Sequence, residues 1–182
     1  MSISKTWGTT ASERKLAYPC DAYLPDPNDQ YFRGITIHAS PDVVFRWLCQ
    51  LQAGAYSYDP FGKLASAGKG TRPKLTPGLD LLKRGKIFMD GFVLTDFERD
   101  RHITIKTDSG HNLIGDIHVS YMIIPLANGW ARLLVKVSLR YPAGPIGWAM
   151  RALLPWGDFI MMRKHLLNFK EYSEAPRSTA AV

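Results

Sequence analysis

Apolar positions along the chain follow two periods, and the switches between them mark its elements. Tyr31 to His38 (YFRGITIH) reads as a strand, with Phe32, Ile35 and Ile37 as its apolar or β-branched members. At Ser40 the period becomes helical. Ser40 is placed to accept a free backbone amide as N-cap, Pro41 suits the first helical position, and Asp42 faces the positive end of the helix dipole. Val44, Trp47, Leu48 and Leu51 then form one apolar face, and Gly54 supplies a stop. A second short helix is expected from Asp59-Pro60 to near Gly68. Strands follow at Ile87–Met89, Phe92–Glu98, His102–Asp108, Leu113–Leu126 and Trp130–Tyr141.

The last two strands alternate cleanly. Ile117, Val119, Tyr121 and Ile123 share one face, and Asp116, His118 and Ser120 the other. Leu133, Val135, Val137 and Leu139 oppose Arg132, Lys136, Ser138 and Arg140. A two-residue Asn128-Gly129 turn would mix the faces. A three-residue loop, Ala127-Asn128-Gly129 with Gly129 left-handed, pairs 126 with 130 and 121 with 135, which unites the apolar rows. The polar rows are then expected to meet water, His118 among them. The C-terminal segment reads as helix from Pro145 to Leu154, interrupted at Pro155-Trp156-Gly157 and restarted by Asp158 as a cap. Phe159, Met162, Leu166 and Phe169 follow as a stripe at spacings of 3, 4 and 3.

This order makes an α+β fold: one antiparallel sheet whose apolar face is covered by a long C-terminal helix, with two short helices after the first strand. Residues 1–30, with Pro19, Pro25 and Pro27, read as an irregular N-terminal arm, 31–174 as the domain proper, and 175–182 as a frayed tail.

Charge and composition narrow the function classes. Lys and Arg number 23 against 16 Asp and Glu, a net charge of +7. Residues 63–86 concentrate seven cations against Asp80 in a segment rich in Gly and Pro, which reads as a basic loop. Such a loop attracts an anionic membrane surface, an acidic protein or the anionic end of a ligand, or serves as a solvated surface. No zinc-finger spacing or RNA-binding aromatic motif accompanies the charge, which argues against nucleic acid. Cys20 and Cys49 are too few for a disulfide scaffold, and with no apolar leader the chain is expected to be cytoplasmic with free thiols.

The chain resembles the START-like helix-grip superfamily, and within it the SRPBCC-type bacterial proteins, relatives of polyketide cyclases and lipid-transfer domains. The matching stretches are Trp7-Gly8 with Glu13, Asp21 to Pro27, Arg33 to Leu51, Ala55 to Asp59, Pro125 to Leu134 and Asp158 to Lys170. Ala55 stands where such proteins often carry an aromatic or larger residue, and the basic loop is long. The resemblance implies a helix-grip fold, a curved sheet wrapped around the C-terminal helix, with a cavity between them.

The residues expected to line that cavity are Ile117, Val119, Tyr121, Leu133, Val135 and Val137 from the sheet, Phe159, Met162 and Leu166 from the helix, and Tyr56 and Tyr58 at its rim. Binding of a lipid-like or polyketide-like molecule follows most simply. The alternatives are a cyclase or dehydratase using the tyrosine hydroxyls, and a protein or membrane interaction module using the apolar segment 146–156. N-capping before Pro60 explains Asp59 without catalysis. No catalytic residue is assigned. The five histidines show no ligand spacing, so neither metal nor cofactor is expected, and His165 is expected at an exposed or flanking position. Cys49, in an apolar helix, reads as inert packing.

Overall fold

The computed structural model describes residues 2–53, 75–89, 91–108 and 115–175. Tyr56, Tyr58, Asp59, the second short helix after the first strand and positions 63–74 of the basic loop lie outside the described residues. The elements in order are α1 (Ile3–Thr6), 3-10 turns at Glu13–Lys15 and Pro19–Ala22, β1 (Asp29–Ile37), α2 (Pro41–Cys49), a 3-10 turn at Gln50–Ala53, β2 (Ile87–Met89), β3 (Phe92–Glu98), β4 (His102–Thr107), β5 (Asp116–Pro125), β6 (Ala131–Arg140) and α3 (Pro145–Glu174). The six strands form one antiparallel sheet in the order β1-β6-β5-β4-β3-β2. Register shifts in the β2/β3 and β3/β4 pairs add local bend and twist. This is an α+β fold with a long C-terminal helix, the helix-grip arrangement.

The β5–β6 register follows from side-chain parity. Tyr121 pairs with Val135 and Pro125 with Ala131, joined by Ala127-Asn128-Gly129 with Gly129 at φ +79. The Gly129 amide donates to the Leu126 carbonyl at 3.0 Å, and the Leu126 amide to the Trp130 carbonyl at 2.9 Å. A Cβ at Gly129 would meet nothing, so the backbone alone resists one. Gly129→Ala is therefore expected to cost about 1–2 kcal/mol in urea denaturation; no loss of stability would contradict the left-handed turn.

Ile117, Val119, Tyr121, Leu133, Val135 and Val137 join Met162, Leu166 and Phe169 of α3 and Val44, Phe45, Trp47 and Leu48 of α2 in one core. Ser40 begins α2 by backbone geometry, but its hydroxyl donates to Asp42 Oδ1 at 2.5 Å instead of accepting an amide. Asp42 also pairs with Arg46 one turn on. The expected break at Pro155 does not occur. α3 runs unbroken through 30 residues, and Asp158 lies inside it instead of capping a second helix. Pro155 removes one intrahelical donor, a cost that burial of Met162, Leu166 and Phe169 beyond it offsets.

The outer face of the sheet is wet only at its end, where Arg140 is exposed and Asp116 partly so. His118, Ser120, Lys136 and Ser138 are all buried, largely beneath the arm. The Cys20 amide donates to Ser120 Oγ at 2.8 Å, Thr104 and Ser120 share a hydrogen bond at 2.9 Å, and Lys136 Nζ reaches Asp21 Oδ1 at 2.5 Å. Tyr18, Cys20, Phe32 and Leu134 form a small apolar cluster beside them. The polar parity of these strands thus reflects paired polar groups, which burial tolerates. Farther up the arm, Gly8 (φ +73) lies so close to β1 that a Cβ would sit 2.0 Å from the Gly34 carbonyl oxygen. Arg132 fastens this contact by donating to the Gly8 carbonyl and pairing with Glu13 at 2.7 Å. That pairing holds the Glu13 carboxyl down at about 2.

Candidate functional site

A cavity of about 270 Å³ lies between the inner face of the sheet and α3. Its walls are mostly apolar: Met89, Phe92, Ile117, Val119, Val137 and Leu139 from the sheet, Leu154, Met161 and Met162 from the helix. Four polar side chains interrupt them, namely Tyr31, Tyr121, Asp158 and His165.

Period-2 alternation of β1 places Tyr31, Arg33, Ile35 and Ile37 on the inner side, with Phe32 outside. Arg33 is fully buried there, opposite Val135. Its Nη2 donates to Asp158 Oδ2 at 2.6 Å and to the Ser4 carbonyl at 2.7 Å, and Nη1 donates to the Phe32 carbonyl at 2.9 Å. The guanidinium carbon also lies 5.6 Å from the Tyr31 ring centre and 6.0 Å from that of Phe159. Burial pushes the Asp158 carboxyl up to about 6, although Arg33 beside it pulls the other way. The same burial pulls Arg33 below its usual range.

Tyr31 belongs to a chain of hydrogen bonds leading out of the cavity. Its hydroxyl lies 2.5 Å from that of Tyr141, which donates to Asp29 Oδ2 at 3.1 Å, and Lys5 Nζ holds Asp29 at 2.6 and 2.7 Å. Because Tyr141 spends its proton on Asp29, Tyr31 is the donor between the two phenols. Its oxygen keeps a lone pair with which it can accept. Burial raises the Tyr31 phenol far above its ordinary value and the Tyr141 phenol to about 12.

His165 is buried, a correction to the expected flanking position. It stacks on Phe169 with ring centres 4.6 Å apart and lies 6.5 Å from the Tyr121 ring. Its Nε2 has no hydrogen-bond partner, and burial pulls the imidazole down to about 4, so it is neutral at pH 7. Asp158, Met162 and His165 stand at i, i+4 and i+7, one face of α3.

Of the residues expected to line the cavity, Ile117, Val119, Tyr121, Val137 and Met162 do so. Leu133, Val135 and Leu166 are buried in the adjoining core. Phe159 turns toward the arm, edge-on to Trp7 and Trp156 with ring centres 6.5 and 6.2 Å away. Tyr31, Arg33, Asp158 and His165 escaped sequence reasoning as site residues. Their signals were the odd-numbered parity of β1 and the turn-by-turn spacing from Asp158. Cys20 and Cys49 are free and buried, and burial pushes Cys49 up to about 12, which fits an inert thiol. Among the described residues, no cluster of three His, Cys, Asp or Glu could hold a metal ion, and no helix is long and apolar enough to cross a membrane.

Solved structures share this fold. The Zhui aromatase/cyclase from Streptomyces sp. R1128 superposes with a TM-score of 0.56 at 13% identity, covering 85% of this chain and 99% of that one. The di-domain aromatase/cyclase BexL gives 0.51 at 17% identity over 81% of this chain and 50% of its own. Protein CV1439 from Chromobacterium violaceum gives 0.51 at 15% identity over 81% and 98%. At these identities the likeness establishes the helix-grip fold that aromatase/cyclases also use. No family model and no curated protein sequence matches the chain.

Proposed function

We propose that the chain binds a small, mainly hydrophobic molecule in the cavity between the sheet and α3. The carrying observation is the cavity itself: an apolar space with four polar side chains on its wall, two of them offering unfilled hydrogen-bond capacity. At about 270 Å³ it falls just below the usual range for small-molecule sites, roughly 300–1,000 Å³, so the occupant is a short acyl chain or a compact ring system. A hydroxyl on that occupant would donate to the Tyr31 oxygen. Binding needs only these walls, and so it leads.

A second reading, cyclase-type proton transfer, is supported by the carboxyl, imidazole and phenols that meet on one wall, and by the aromatase/cyclases among the fold's relatives. It calls for a molecule that leaves chemically changed.

Native mass spectrometry of freshly purified protein tests the first reading by looking for a co-purified molecule. In parallel, a hydrophobic fluorescent probe is expected to bind, and Val137→Trp, which fills the space, is expected to weaken it by about tenfold or more. A probe that binds Val137→Trp as tightly as the natural chain would place the site elsewhere and end this reading.

A further inference from the structure

The opposite side of α3 carries a second feature, independent of the cavity. Trp148 is 77% exposed, Leu153 72%, Ile160 66%, Ile146 60% and Trp156 52%. Helical spacing gathers most of these into one stripe. Ile146, Leu153 and Ile160 recur every seven residues and Trp156 stands between the last two in sequence, whereas Trp148, two residues past Ile146, lies off the stripe on another side of the helix. Single exposed apolar residues need no explanation, but a continuous stripe on one helix does. Apart from the edge-on contact of Trp156 with Phe159, no packing among the described residues accounts for it, since this face points away from the core that Gly147, Asp158, Met162 and His165 enter.

Charge identifies the occupant. Between Pro145 and Lys170 the only acidic residue is Asp158, which is buried against Arg33. One turn past Ile160 the stripe is edged by exposed Arg163 and Lys164, with the Arg163 guanidinium 5.7 Å from the Trp7 ring centre; Arg151 lies on the other side of the helix, over the Tyr141 ring. Apolar side chains with one tryptophan among them, edged by cations and free of exposed carboxylates, match an anionic lipid surface. Tryptophan suits the headgroup boundary, and long basic side chains extend to phosphates while their stems cover apolar area. We infer that this face of α3 docks on an anionic bilayer, lying along it without crossing.

Co-flotation with vesicles tests the inference, using phosphatidylcholine alone and phosphatidylcholine mixed with phosphatidylglycerol, at low and high salt. The full chain is expected to float with the mixed vesicles only, and less at high salt. Leu153→Glu and Ile160→Glu, each on the exposed face and checked for an unchanged thermal transition, are expected to abolish flotation. Arg163→Ala with Lys164→Ala is expected to weaken it about tenfold or more. No flotation of the natural chain overturns the inference, as does equal flotation with neutral vesicles. Flotation that survives both glutamate variants assigns any membrane contact to another surface and also overturns it. So does a concentration-dependent dimer that Leu153→Glu dissolves, since a second copy would then cover the stripe.

Discussion

Replacing Arg33 with methionine is expected to cost about 3–5 kcal/mol of folding stability, because it leaves the Asp158 carboxylate buried without its partner. The Ser4 and Phe32 carbonyls lose their donor in the same step. Losing one member of a buried pair costs far more than replacing both with apolar residues of similar size. The double variant Arg33→Met with Asp158→Leu should therefore recover most of the lost stability. Acidification provides a further check. A carboxyl that has lost its cation can escape the cost by taking up a proton, so the deficit of Arg33→Met should shrink as pH falls. Urea denaturation at pH 5 and pH 8 measures this. A deficit below about 1 kcal/mol would mean that the pair holds little together.

The second large effect is a pair of opposed titrations. Burial raises Asp158 from 3.8 to about 6 in the fold, so the folded state binds more protons than the unfolded chain between these values. Its contribution makes stability fall as pH climbs from about 4 to about 6. Burial lowers His165 from 6.5 to about 4, so there the unfolded chain binds more protons. That contribution is lost as pH falls from about 6.5 to about 4. In the natural chain the two slopes largely offset.

His165→Leu removes one of them. It should hold stability or raise it by about 1 kcal/mol at pH 7, where an unpaired buried nitrogen is lost. It should then gain about 3 kcal/mol over the natural chain between pH 6.5 and 4. Asp158→Asn should show the opposite trend, losing stability over the same interval. Carboxylates held low by ion pairs, such as Glu13 with Arg132, add an acid loss common to all three chains. The difference between chains is therefore the quantity to compare. Parallel pH profiles in all three would remove both assignments.

What could be read from the sequence was whatever side-chain periodicity controls. Alternation in β5 and β6 defined both faces and the Ala127–Gly129 loop, and the stripe of Met162, Leu166 and Phe169 defined the core side of α3. Charge misled where burial was compensated at a distance. Arg33 shares the inward parity of Tyr31 and Ile37, yet a cation in a strand reads as a surface residue until Asp158, 125 positions away, is seen beside it. Asp158 in turn follows Pro-Trp-Gly, a local pattern for a helix start, and tertiary packing carried the helix through it. His118, Ser120 and Lys136 gave the periodicity of a wet face because nothing local shows that residues 18–22 will lie over them. Tyr56 and Tyr58, the most tempting candidates by residue type, fall outside the described residues.

The pairing of β1 with β6 bears on how the chain assembles. Strands β3 to β6 join neighbours in sequence and can zip together through short loops, whereas Asp29 meets Leu139 and Ile37 meets Ala131 across roughly a hundred intervening residues. Closing so long a loop carries an entropic penalty before any contact repays it, and such topologies fold slowly. β1 brings Arg33 with it, and Asp158 lies later still in the chain. Until α3 is made, the Arg33 guanidinium therefore lacks the Asp158 carboxylate that pairs with it, and the contacts that join β1 and the arm to α3 are the last for which the chain is complete.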